Sequence, residues 1–136
     1  KGGLRSDELV SSIDVFTTIL DYANSNIPKY LTGKSLVNLI KGEKTPIREK
    51  IITYLKNPRV PGDPWAKGET GYSYRSKDWH SFWVPQLDKI NLYNIIDDPY
   101  ELNEISKKYP EKVIEIKREI ISWNKYIKGR EIFPNE

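Results

Sequence analysis

The stretch Gly71 to Ile95, GYSYRSKDWHSFWVPQLDKINLYNI, decides the fold. In GYSYRS, HSFWV and KINLYNI the apolar and aromatic residues alternate with polar ones, and the alternation breaks at Lys77–Trp79 and at Pro85–Asp88. A period of two sends successive side chains to opposite faces, so the stretch predicts three short strands joined by tight turns. Tyr72 and Tyr74 then share one face, and Ser73 and Arg75 the other. Upstream, KIITYL, Lys50 to Leu55, is rich in β-branched and aromatic residues and predicts a fourth strand. Between the two lies Asn57 to Gly71, punctuated by Pro and Gly, which reads as a long irregular loop.

A sheet with one apolar face needs a cover. From Pro110, a favoured first helical residue, Val113, Ile116, Ile120, Trp123 and Ile127 recur at helical spacing and stop at Gly129. They predict a helix over about 110–128 lying on the sheet. At the other end, DELVSSIDVFTTILDYANSNIP carries Leu9, Ile13, Phe16, Leu20 and Ala23 at spacings of three and four, widened by Val10 and Ile19. That pattern predicts an amphipathic helix over about 13–24, stopped by Asn24 to Pro28. LTGKSLVNLIKGEKTP then predicts a turn at Gly33, a short helix over about 35–41 and a loop. The fold class is α+β: a small antiparallel sheet of about four strands packed by a C-terminal helix and preceded by a separate helix.

At 136 residues, 38% hydrophobic and 30% charged, the chain suits one real core. Its net charge of +3 is spread along the sequence and argues for no nucleic-acid partner. No run of eighteen apolar residues is present, which argues for no membrane span. Cysteine is absent, excluding disulfides and thiolate chemistry within these residues. The opening KGGLRSDE, without Met, leads us to expect a piece of a longer protein.

LYNIIDDPYELNEIS, Leu92 to Ser106, is dense in oxygen ligands but lacks the alternating acids and central Gly of a calcium loop. It reads instead as a turn: Asp98 caps a segment opening at Pro99, and Glu101 stands three residues on, as in a capping box. A short helical turn near Glu101–Ile105 follows from that reading. His80 is the sole histidine, so no histidine pair can bind a metal, and no serine lies in a G-x-S-x-G elbow. We therefore name no catalytic residue and no metal ligand. The densest polar and aromatic cluster is Arg75, Lys77, Trp79 and His80, the candidate substrate-binding residues, since rings stack on sugar faces and cations pair sulfates or carboxylates. The competing reading is sheet packing with the cations snorkelled to solvent.

Taken in order, ELVSSIDVFTTILDYA, TGKSL, RSKDWHSFW, LYNIIDDPYELNEIS and a last helix carrying a Trp resemble the C-terminal part of a formylglycine-dependent sulfatase, within the alkaline phosphatase superfamily. Ser11, Asp14, Thr18, Leu20, Asp21 and Ala23 match the family's E-L-V-S-x-x-D-x-x-P-T-x-L-D-x-A. Gly33, Ser35 and Leu36 match its D/T-G-x-S-L. Arg75 and Trp79 match R-x-x-x-W, and Leu92, Tyr93, Asp98, Pro99 and Glu101 match L-Y-D-L-x-x-D-P-x-E. Thr17 stands where Pro is usual, Asn94 where Asp is frequent, and Glu104–Ile105 replace N-L. KGGLR resembles E-G-G-[IL]-R, but Ser6 follows Arg5 where the family has an intervening strand, so a discontinuity is expected at Arg5–Ser6.

The resemblance implies a parent sulfuric-ester hydrolase acting on sulfated carbohydrate such as glycosaminoglycan, with a formylglycine nucleophile and a calcium ion. Neither C/S-x-P-S-R nor D-[HN]-G occurs here, so the resemblance implies that both cofactors sit upstream and that this fragment alone is inactive. It implies that 1–47 ends the larger α/β domain and that 48–136 is the C-terminal subdomain beside the substrate cleft. It also implies that the partner of this chain is the N-terminal catalytic domain. An exposed face of helix 13–24 would then support a dimer. In a bacterium the family implies a periplasmic or extracellular location. The alternative is a non-catalytic carbohydrate- or protein-binding module using the same cluster.

Overall fold

In the computed structural model, residues 3–56 and 70–128 are described. The loop expected at 57–71 lies outside them except for its last two residues, as do the stop at Gly129 and the tail. Among the described residues eight elements follow one another: α1 (Ile13–Tyr22), α2 (Val37–Ile40), β1 (Lys50–Lys56), β2 (Thr70–Ser76), β3 (Trp79–Val84), a 3-10 turn (Pro85–Leu87), β4 (Lys89–Asn94) and α3 (Pro110–Lys128). They fall into two compact units, Lys1–Ile51 and Ile52–Glu136. No helix of the described residues is long and apolar enough to cross a membrane.

The second unit is an antiparallel sheet in the order β1-β2-β3-β4 with α3 on one face. Tyr72 pairs with Trp83, Tyr74 with Ser81 and Arg75 with His80; onward, Ser81 pairs with Leu92 and His80 with Tyr93. This register places Tyr72, Tyr74, Trp79, Ser81, Trp83 and Leu92 on the helix-facing side. Leu92, Ile116 and Ile120 are buried to within 1% of completely, and with Tyr72 and Tyr74 they form the core. Each such side chain contributes about 1.5–3 kcal/mol by leaving water. On the opposite face the Phe82 ring lies over Gly71, where a Cβ would stand 2.7 Å from its Cζ. The β2–β3 turn is tighter than expected: Trp79 is already in β3, its N–H donating to Ser76 Oγ at 3.0 Å.

In the first unit the apolar face of α1 is exposed, as expected of helix 13–24. The polar side of α1 is buried, through Asp14, Thr17 and Thr18, while Ile13, Val15, Phe16, Ile19 and Tyr22 are between 52% and 69% exposed. The cause is hydrogen bonding. Asp14 accepts the N–H groups of Ser11 and Lys34, each at 2.8 Å, and pairs with the Arg48 guanidinium. Thr18 Oγ1 accepts the Leu36 N–H at 3.0 Å, and Ser35 donates its hydroxyl to Asp21. Gly33 is required for this approach, because a Cβ there would stand 2.1 Å from the Ile13 carbonyl oxygen. The two N-terminal motifs are thus the two sides of one seam.

Candidate functional site

β4 is an edge strand, and an edge exposes unpaired backbone groups unless something covers them. The chain after β4 does so: Ile105 N–H donates to the Leu92 carbonyl at 3.0 Å, and Leu92 N–H donates to Glu104 Oε1 at 3.1 Å. The helical turn expected at Glu101–Ile105 is therefore absent. Asp98 does not cap a helix; its carboxylate accepts the Asn103 N–H, five residues on, at 2.7 Å. That bond, with further N–H groups and the Asn103 amide, holds the Asp98 carboxyl below its ordinary range. At Glu104 burial pushes the carboxyl up, but the bonds from Ser106 and Leu92 outweigh it, and the net direction is down.

Glu101 adopts a left-handed backbone, φ 56°, and its carboxylate meets the outer face of the sheet. There Glu101 Oε1 lies 2.8 Å from His80 Nδ1 and 3.4 Å from Arg75 Nη1. The second imidazole nitrogen, Nε2, is 3.1 Å from Ser73 Oγ. With the Nδ1 proton donated to Glu101, Nε2 accepts from the serine hydroxyl; a protonated ring donates to both. Arg75 and His80 meet because they are cross-strand partners on the face away from α3. Arg75 keeps 41% of its side chain in solvent, so one carboxylate faces two potential cations, one of them open to an anion.

The order serine, histidine, carboxylate matches that of a hydrolytic triad. Its setting differs. Ser73 lies within β2, flanked on both sides by paired strands, so the nearby backbone N–H groups belong to the sheet rather than to an oxyanion. What the arrangement can do is orient Arg75 and His80 toward an anionic group.

Lys77 is exposed at the β2–β3 turn. Trp79 lies on the other face, its ring centroid 5.3 Å from that of Tyr109 and 5.8 Å from Lys112 Nζ. The cluster Arg75, Lys77, Trp79, His80 is thus divided by the sheet, and two partners that the sequence reading did not include, Ser73 and Glu101, complete its outer half. Among the described residues no group of three or more His, Cys, Asp or Glu is placed to hold a metal ion. With no such carboxylate group among the described residues and no C/S-x-P-S-R motif in the sequence, these residues do not fit a calcium or formylglycine centre, and no step is derived through either.

A family model described as N-sulphoglucosamine sulphohydrolase, C-terminal, matches residues 1–125. Human arylsulfatase K is 26% identical over 132 residues, covering 94% of this chain and 24% of that protein. An N-acetylglucosamine-6-O-sulfatase of Bacteroides thetaiotaomicron is 27% identical over 107 residues, 77% of this chain and 19% of that one. Among solved structures, a 2-O GAG sulfatase superposes with a TM-score of 0.76 at 18% identity, covering 93% of this chain and 27% of the other. The chain spans about a quarter or less of the length of these relatives. By its match over residues 1–125, the chain belongs to the N-sulphoglucosamine sulphohydrolase C-terminal family and is the C-terminal region of a sulfatase.

Proposed function

We propose that the protein carrying this chain hydrolyses sulfuric esters on carbohydrate, with an amino sugar or glycosaminoglycan as substrate. The observation that carries the reading is the family match over nearly the whole chain. The names of two similar proteins, an N-acetylglucosamine-6-O-sulfatase and a 2-O GAG sulfatase, support its substrate class. In this reading residues 48–136 form a wall of the substrate cleft and residues 1–47 end the larger domain. A formylglycine and a calcium ion, supplied by residues outside this chain, would provide the nucleophile and the charge stabilisation at sulfur.

The contribution of this chain is positioning. Arg75, with Lys77 nearby at the turn, presents positive charge to a sulfated ring, while Glu101 fixes the orientation of Arg75 and His80. Trp79 acts from behind the sheet through its packing on Tyr109. The test is sulfate release by the full-length protein from N-acetylglucosamine-6-sulfate and from sulfated disaccharides. Release is expected, with Arg75→Ala raising KM more than it lowers kcat. Absence of sulfate release from every sulfated saccharide and aryl sulfate would sink the assignment.

A further inference from the structure

On the helix-facing side of the sheet, away from Arg75 and His80, lies a cavity of about 360 Å³ lined by Tyr54, Thr70, Tyr72, Trp83, Gln86 and Asn124, with Ile121 at its border. This is the size range of small-molecule sites. Three of the residues form an aromatic series: the Tyr54 and Tyr72 centroids are 5.6 Å apart, and those of Tyr72 and Trp83 6.0 Å. The Gln86 amide faces the Thr70 main chain, and in the orientation that satisfies both groups it donates to the Thr70 carbonyl and accepts from the Thr70 N–H, both at 3.1 Å. Asn124 and the tyrosine hydroxyls add neutral donors and acceptors, and burial, followed by the nearby Tyr54 phenol, pushes the Tyr72 hydroxyl further into its neutral form. The buried Trp83 indole N–H has no hydrogen-bond acceptor, which is costly for a polar group.

None of the described lining residues carries a charge at neutral pH. Lys117 Nζ, 5.5 Å from the Trp83 centroid, is paired with Asp88 at 3.0 Å. Among the described lining residues a sulfate group would find no counter-charge, whereas ring faces, amides and hydroxyls suit the apolar face and hydroxyl rim of an uncharged sugar.

We propose that this cavity is a subsite for an unsulfated sugar ring that packs on the Tyr54–Tyr72–Trp83 series, with the Gln86 and Asn124 amides at its hydroxyls. It rests on the carbohydrate reading above and deepens it. Because the sheet separates it from Arg75 and His80, one ring cannot occupy both places. The subsite would anchor a neutral part of an oligosaccharide apart from the ester being cleaved.

The experiment titrates the ¹⁵N-labelled full chain with an uncharged N-acetylglucosamine trimer and follows the four Trp indole signals. The Trp83 signal is expected to shift saturably and alone, with Tyr54→Ala and Asn124→Ala each weakening binding about tenfold. Ile121→Arg, at a 58% exposed position, is expected to block the mouth without disturbing the fold. A stationary Trp83 signal, an equal response to a fully sulfated trimer, or undiminished binding in all three variants would overturn the subsite. Sulfate release by the full-length enzyme alongside a stationary Trp83 would overturn the subsite while leaving the sulfatase reading intact. Failure of both would remove the carbohydrate reading itself.

Discussion

Replacing Asp14 by Asn tests the seam of the first unit at its centre. The side chain is fully buried, and its two oxygens accept from Ser11 N–H, Lys34 N–H and the Arg48 guanidinium. Asn keeps the shape, removes the charge opposite Arg48, whose side chain is 12% exposed, and turns one acceptor into a donor that faces other donors. Removing one member of a buried ion pair costs about 3–5 kcal/mol. Set against a total domain stability of roughly 5–15 kcal/mol, that opens the seam locally or unfolds the unit. The readout is amide hydrogen exchange at Lys34, which should quicken on the order of 10²–10³-fold, at about tenfold per 1.4 kcal/mol. Adding Arg48→Met should recover part of the loss, since the stranded cation is then gone. A Lys34 amide that exchanges in Asp14→Asn within about threefold of the parent rate would refute the reasoning, because the seam would then not depend on this carboxylate.

Ser81 is fully buried between Tyr74 and Leu92 with an unpartnered hydroxyl, so Ser81→Ala should raise stability by roughly 1 kcal/mol in urea unfolding; a loss would show that the hydroxyl is satisfied. Gly33→Ala should destabilise the first unit, seen as lost protection at Lys34, and wild-type protection would contradict the close approach to Ile13. Asp98 and Glu104 are held below their ordinary values of 3.8 and 4.5, so their contribution is full above those values and is lost as pH falls through the lowered ones. The Asn103 and Leu92 amides should therefore lose protection below about pH 4, and pH-independent protection there would count against the linkage. The exposed apolar face of α1 should drive self-association of the full chain in sedimentation, abolished by Ile13→Lys with Phe16→Glu; a monomer at all concentrations would argue the opposite.

The sheet and α3 were legible because their hydrophobic periods coincide with what is buried: Tyr72, Tyr74 and Leu92 at a period of two, Ile116 and Ile120 at helical spacing. α1 was legible as a helix with an exposed apolar face, but not in what its polar side binds. Periodicity shows that a helix has an apolar face; it does not say which face this chain covers. The missed signal was the second stripe, Asp14, Thr18 and Asp21 at helical spacing, each with a partner in the residues around Gly33 or at Arg48. At the candidate site, Arg75 and His80 come together through the hairpin register. Glu101 was hidden because a left-handed glutamate follows from the edge bonds of Leu92 with Glu104 and Ile105, which no local pattern announces. Trp79 was grouped with His80 by proximity in sequence, whereas neighbours on a strand point to opposite faces.

Glu101 also has a consequence for how this protein would respond to selection. Its backbone conformation disfavours most residues with a Cβ by about 1 kcal/mol or more, Asn less than others, so a screen for stability alone would enrich Gly or Asn at position 101. A screen for turnover would keep the carboxylate that binds Arg75 and His80. Where the two screens rank the same position in opposite order, the protein has exchanged robustness for alignment. Residue 101 is the place in this chain where that conflict should surface first.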